Sequence, residues 1–309
     1  NLVEYSKAVV GNFEEEFLEV PPEVLITAMR AHQRYFPVFD EKGVLLPHFI
    51  TISNGTRDEY LDNVRAGNER VLRARLADAR FFFEEDRKKP LSAFVEMLDD
   101  IVFMEPLGTM RKKTARLEHL AQALAAEAGL DETTRITAFR AAHLAKADLM
   151  THMVYEFPEL QGTMGMHYAT LSGENEAVAR AVEEHYAPRF AADRPAKTAA
   201  GAMVAIADKM DTLAACFGLG LIPTGSQDPY ALRRSALGVV STIIEHSLPI
   251  SPERLCSLAL EGLAKDIKRP VGEIVPAMTD FLAQRARYFF AEKGLRYDVI
   301  DAALGAEAT

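Results

Sequence analysis

Leu72, Leu76, Ala79 and Phe83 recur at i, i+4, i+7 and i+11, one face of a helix, and predict a long helical segment from about residue 64. Upstream the pattern is mixed. "YFPVF" and "VLLPHFITIS" are β-rich runs around a turn with Gly43, which predicts a hairpin over 35–53. Pro37 and Pro47 cannot donate to a ladder, so these strands are expected at sheet edges or with bulges. "PPEVLITAMRAHQR" reads as a short helix opened by its prolines. Leu98 to Phe103 reads as a short extended or helix-end stretch, and "PLGTM" after it marks a boundary near residue 105. Beyond it helical spacing dominates. The pattern predicts helices over 114–129 closed by Gly129, over 133–157 as one piece before Pro158, and from Ser172 to Pro188. Further helices are predicted over 198–217, 229–247, 252–266 behind Ser251, and 275–293. The glycine- and methionine-bearing stretch 156–174 predicts an ordered contact loop.

These elements predict an α+β chain whose 309 residues suffice for about two domains. The composition, 49% hydrophobic and 26% charged, is that of an ordinary globular protein. A net charge of −10 argues against indiscriminate nucleic-acid binding but leaves room for a local basic face. Two cysteines, Cys216 and Cys256, are too few for a disulfide framework and fit buried thiols in a reducing cytosol. No signal peptide and no run of about 18 apolar residues is present, so a soluble, cytoplasmic protein is expected. The chain does not begin with Met and reads as a piece of something longer.

Three clusters carry candidate chemistry. Between Arg65 and Lys89 eight Lys/Arg face five Asp/Glu, a local +3. Arg73, Arg80 and Arg87 are spaced by seven, with Arg70 one turn before Arg73, so cations recur at about 10 Å intervals along the helix. Such a line can follow a phosphate backbone, while the pairs Glu69/Arg73 and Arg80/Glu84 equally describe a solvated, ion-paired face. In "GLGLIPTGSQDPYALRRSA", Asp228 and Pro229 start a helix whose first turns hold Arg233 and Arg234. That arrangement suits either a phosphate cradle or an ordinary capped loop. His143, Asp148, His152, Asp208 and Asp211 offer metal-ligand chemistry, but His143 and Asp148 lie about 140° apart on a helix. Ala147, at the matching position, has no ligand atom, and no intact metal site is expected. No phosphate-binding glycine loop, nucleophile elbow or zinc spacing appears, so the residues outline no complete active site.

The stretches "HQRYFPVFD", "GNERVLRARLADARFFFEEDRK", "KADLMTHMVYEFPELQGTMG" and "ADKMDTLAACFGLGLIPTGSQDPYALRR" occur in an order that resembles the β subunit of bacterial glycyl-tRNA synthetase. The resemblance runs from about residue 10 to 240 and more loosely to the end, short of that family's C-terminal anticodon-binding domain. It implies an α2β2 ligase in which an α subunit activates glycine with ATP and Mg, while β holds glycine tRNA and needs no cofactor of its own. On that footing Arg65, Arg70, Arg73, Arg80 and Arg87, and less strongly Arg233 and Arg234, are expected to contact tRNA. The helical middle is also similar to the HD-type fold of metal-dependent phosphohydrolases. "KADL" has Ala147 where that fold has His, Asp148 is kept, and Asp208 in "IADKMD" stands at its metal-binding Asp. The missing His leaves Asp148 and Asp208 as remnants, expected to anchor helices by hydrogen bonds. The expected organisation is a mixed module with the basic helix over 1–105, an HD-like helical domain over 106–248, and a helical segment over 249–309. The alternatives are a working HD-type phosphohydrolase, or a scaffold for the α subunit.

Overall fold

The computed structural model describes residues 4–190 and 192–305. Its architecture is α+β, a small sheet leading into a helical assembly. The sheet holds β1 (Ser6–Asn12), β2 (Phe36–Phe39) and β3 (Leu45–Asn54), antiparallel in the order β1-β3-β2. The hairpin forms where the sequence placed it: Asp40 accepts from the backbone of Lys42 and Val44, and Gly43 turns at φ 81°. The strand bearing Pro47 is, however, the central one. Its proline lies where the β2–β3 register shifts, between the Phe39–Leu45 and Pro37–Phe49 pairs, so its missing donor falls outside the regular ladder. β1 carries too short a pattern to have been predicted. It packs through Gly11, where an added Cβ would lie 2.4 Å from the Phe49 ring, so glycine is what lets that ring rest on the strand.

Before the hairpin, α1 (Pro22–Thr27) runs into a π-helical turn over Ala28–Gln33 that closes at Arg34, φ 57°. The basic helix, α2 (Leu61–Asp86), buries Leu72, Leu76, Ala79 and Phe83, the face given by the spacing. It also closes the exposed edge of β1: Arg65 Nε donates to Val10 O at 2.9 Å, and Glu69 accepts from Asn12 N at 2.9 Å. A two-stranded ribbon, β4 (Val102–Met104) and β5 (Gly108–Thr109), then leads into the helices.

These are α3 (Met110–Glu127), α4 (Glu132–Leu144), α5 (His152–Glu156), α6 (Thr163–Leu171), α7 (Glu176–Glu184), α8 (Ala199–Leu219), α9 (Leu232–Glu245), α10 (Pro252–Glu261), α11 (Val271–Glu292) and α12 (Tyr297–Gly305). Thr109, Asp131, Thr151, Asn175, Thr198 and Ser251 each accept a backbone N–H at a helix start. The helix predicted from Ser172 starts instead at Glu176 behind Asn175, because Ser172 closes α6. Two further predicted elements differ more widely. The 133–157 helix breaks, because Ala145 is extended and Lys146 takes a left-handed turn at φ 69°. Neither residue is a glycine or proline, so no local signal marked the break. The 156–174 stretch is largely helical, not a loop. Gly162 (φ 84°) opens α6, and Gly165 lies inside it because a Cβ there would sit 2.9 Å from Val182 and 3.1 Å from the Asp148 carboxylate. Both glycines serve close packing.

α8 is apolar nearly all round and lies at the centre of the helices, in contact with α3, α4, α7, α9, α10 and α11. Cys216 lies on it and Cys256 on α10, both buried; burial pushes each thiol up to about 11. Apolar packing is continuous from Phe13 through Leu72, Leu91 and Tyr168 to α8 and Leu282. Among the described residues no helix is long and apolar enough to cross a membrane.

Candidate nucleic-acid interface and a buried charge cluster

The α2 arginines fall into two groups. At about 100° per residue, Arg73, Arg80 and Arg87 project about 50–90° from the buried face, and Arg70 about 150° from it. The seven-spaced line therefore runs along the flank where the chain before α1 packs. Arg73 Nε pairs with Glu14 at 2.5 Å. Arg80 pairs with Glu16 at 2.8 Å and Glu84 at 3.0 Å. Glu69, the sequence-level partner of Arg73, is bonded to β1 instead. Arg65 holds Val10 O and Asp62. Arg70 and Arg87 are exposed and, among the described residues, have no carboxylate within ion-pair distance; Arg87 lies 5.8 Å from the Phe83 ring centroid.

Arg233 and Arg234 also divide. α8 ends at Gly220, φ 77°, with Leu221 N donating to Cys216 O. The loop after it returns to α9, which starts three residues beyond Pro229 because Ala231 is left-handed. Asp228 still caps the helix, accepting from the backbone of Leu232 at 2.8 Å and Arg233 at 2.9 Å. The N–H groups that would cradle a phosphate are thus held by the protein's own carboxylate. Arg233 folds back onto Gly225 O at 2.7 Å, and Arg234 is exposed.

Asp208 belongs to a buried cluster of opposite charges. Lys146 Nζ lies 2.7 Å from Asp208 Oδ2, and Lys113 Nζ lies 3.1 Å from Asp208 Oδ1 and 3.0 Å from Asp211 Oδ2. Arg116 Nε completes the set at 2.6 Å from Asp211 Oδ1. Burial opposes ionisation of Asp208, but the ammonium groups of Lys146 and Lys113 outweigh it and hold the carboxyl well below its usual range. Lys146 is pushed down by the same burial, and its ammonium sits 3.8 Å from the Tyr186 ring centroid. Asp148 is separate. Its Oδ2 accepts from the backbone of Gly162 at 2.5 Å and Gly165 at 3.2 Å, and burial raises its pKa. His185, near Lys146 and Asp208, is driven well below its usual value, chiefly by burial and then by Lys146, so its ring is neutral at pH 7.

The remaining metal-ligand candidates do not converge. His143 bonds Glu118 at 2.9 Å, and His152 bonds Asp86 at 2.8 Å. Among the described residues no group of three His, Cys, Asp or Glu comes together to hold a metal ion. Asp86 escaped sequence reasoning altogether. Its buried carboxylate accepts from His152 N, His152 Nδ1, Met153 N and Tyr168 OH, tying the end of α2 to α5 and α6. Within an acidic run, "EEDRK", nothing local separates it from its solvated neighbours. Lys113 and Lys146 were missed for the same reason.

The sequence matches the family model described as glycyl-tRNA synthetase beta subunit over residues 1–305. It is 52% identical over 308 residues to the glycine–tRNA ligase beta subunit of Moorella thermoacetica, covering 99% of this chain and 44% of that protein. The corresponding protein of Shouchella clausii is 50% identical over 307 residues, covering 99% and 44%. That of Bacillus subtilis is 49% identical over 304 residues, covering 98% and 43%. The chain spans less than half the length of these relatives.

Proposed function

Since the chain belongs to the glycyl-tRNA synthetase β-subunit family, we propose that it is a tRNA-holding, non-catalytic portion of a cytoplasmic glycine–tRNA ligase. An α subunit, in an α2β2 assembly, activates glycine with ATP and Mg and transfers it to the tRNA. The observation that carries the reading is the pair Arg70, on the 26-residue α2, and Arg87, the residue that caps its C-terminus, both exposed and, among the described residues, without carboxylate partners in a chain of net charge −10. A guanidinium free of an internal ion pair can bind phosphate without first giving up a partner. Arg65, Arg73 and Arg80 support the surface from their internal bonds, and Arg234, on α9 and apart from α2, is a further exposed cation. The lysines that neutralise Asp208 argue against metal-dependent hydrolysis of phosphate esters, because the positions beside that carboxylate are filled by ammonium groups.

Binding of glycine tRNA by the Arg70→Glu/Arg87→Glu variant tests the reading. Affinity is expected to fall, and the slope of log affinity against log salt to become shallower by about 1 for each phosphate that is no longer neutralised. Both side chains are exposed, so stability should change by less than about 0.5 kcal/mol. Affinity equal to that of the unsubstituted chain from about 50 to 200 mM salt would overturn the assignment. Arg73→Glu/Arg80→Glu is a poorer probe, since it places glutamate against Glu14, Glu16 and Glu84.

A further inference from the structure

A cleft of about 1060 Å³ opens between Pro188, Phe190 and residues 192–197, one side of α9 and the last turns of α11. That volume is just above the ~300–1,000 Å³ range of ligand-binding clefts. Its wall is fixed from two sides. His246 Nε2 donates to Ala196 O at 2.7 Å, and the Asp193 carboxylate accepts from the backbone of Arg189 and Arg194 at 2.7 and 2.9 Å.

Two large aromatic side chains on the lining are left in solvent, Phe190 at 58% and Tyr288 at 52% exposure. Four cations share the lining: Arg194, Lys197, Arg234 and Lys293. Among the described residues none of the four has a carboxylate within ion-pair distance. Among the described residues the carboxylates in the same cleft are Asp193, committed to the turn, and Glu245 and Glu292. The lining is therefore cationic by one charge where the whole chain is −10. Arg234 reaches it from the first turn of α9, where Asp228 already holds the N–H groups of Leu232 and Arg233, so Arg234 presents its guanidinium to the cleft.

Exposed aromatic faces among unpaired cations suit a nucleic-acid strand whose bases are free to stack; the bases of a duplex are already stacked on one another. We propose that this cleft binds a short unpaired stretch of RNA, with Tyr288 and Phe190 stacking on bases and Arg234, Arg194, Lys197 and Lys293 at the phosphates. Glu245 and Glu292 are then acceptors for ribose hydroxyls or base amino groups, a contact that phosphate-only recognition would not include. The proposal rests on the reading that this chain handles tRNA, but it names a second surface, separate from α2 in sequence and in chemistry.

The test uses the 309-residue chain and a fluorescein-labelled single-stranded RNA hexamer of adenosine and cytidine, followed by anisotropy. Phe190→Ala and Tyr288→Ala are each expected to weaken hexamer binding about tenfold, as removal of one base stack does. Arg234→Glu is expected to lower both the affinity and the salt slope. A blunt RNA duplex should compete poorly. Arg70→Glu/Arg87→Glu should leave hexamer binding unchanged, which separates failure of the α2 surface from failure of the cleft. Hexamer binding that is absent, insensitive to both aromatic substitutions, or equally competed by duplex overturns the proposal. So does a cleft whose aromatic substitutions weaken association with a protein subunit and leave RNA binding intact. Both aromatics are more than half exposed, and circular dichroism of the variants checks that folding is kept.

Discussion

At the scale of single residues, Asp208 shows how a carboxylate becomes structural. It stands on α8 with Lys146 and Lys113 against its two oxygens, and its neighbour Asp211 is shared by Lys113 and Arg116. Removing one partner of a buried pair leaves the others desolvated without compensation. Asp208→Asn is accordingly expected to cost about 3 kcal/mol or more at pH 7, read by urea unfolding. The pH dependence has a definite sign. Because the folded pKa of Asp208 lies below its unfolded value, its contribution is fully present above the unfolded value of about 3.9 and is lost as pH falls towards the folded one. The gap between the unsubstituted chain and Asp208→Asn should narrow on acidification below about pH 4. A gap that stays constant down to about pH 2 would show that the folded state does not hold the Asp208 carboxyl below its unfolded value.

At the scale of elements, contacts between helices explain where the pattern of hydrophobic residues succeeded and failed. The apolar stripe of α2 was legible because a 3.6-residue period is a local property of the chain. The break at Lys146 was not, because a left-handed residue there is held by its tertiary bond to Asp208, 62 positions away. Asp86 similarly fastens α2 to α5 across 66 positions. Asp86→Ala would leave the backbone donors of His152 and Met153 and the Tyr168 hydroxyl without their acceptor. A destabilisation of about 2–4 kcal/mol is expected, together with faster amide exchange at the C-terminal end of α2. Unchanged exchange there would mean that apolar packing alone seats the helix. The arginine line belongs to the same scale. Spacing by seven placed Arg73, Arg80 and Arg87 on one face, but only the packing of the Glu14–Glu19 segment determined that two of them face carboxylates of their own chain.

At the scale of the whole molecule, apolar packing runs through residue 105 from the sheet and α2 into α8. That continuity leads to an expectation of one cooperative unfolding transition. Far-ultraviolet circular dichroism and tyrosine fluorescence (the chain has 9 Tyr and no Trp) should give the same urea midpoint. Two separated midpoints would instead mark independent domains divided near residue 105. The same continuity fixes α2 relative to the helices, so that cations on α2 and in the α9–α11 cleft are carried by one packed body.

The sequence by itself determined the α+β class, the buried face of α2, the α8 helix, several caps, the buried thiols and the family, because each is written in neighbouring residues or in long ordered motifs. The tertiary structure alone decided which charges are neutralised. Lys113, Arg116 and Lys146 are indistinguishable in sequence from solvated cations, and become interior partners of Asp208 and Asp211 only when helices up to 98 positions apart are packed together. Charge is visible in a sequence, whereas the dielectric around it and the partner beside it are set by the fold.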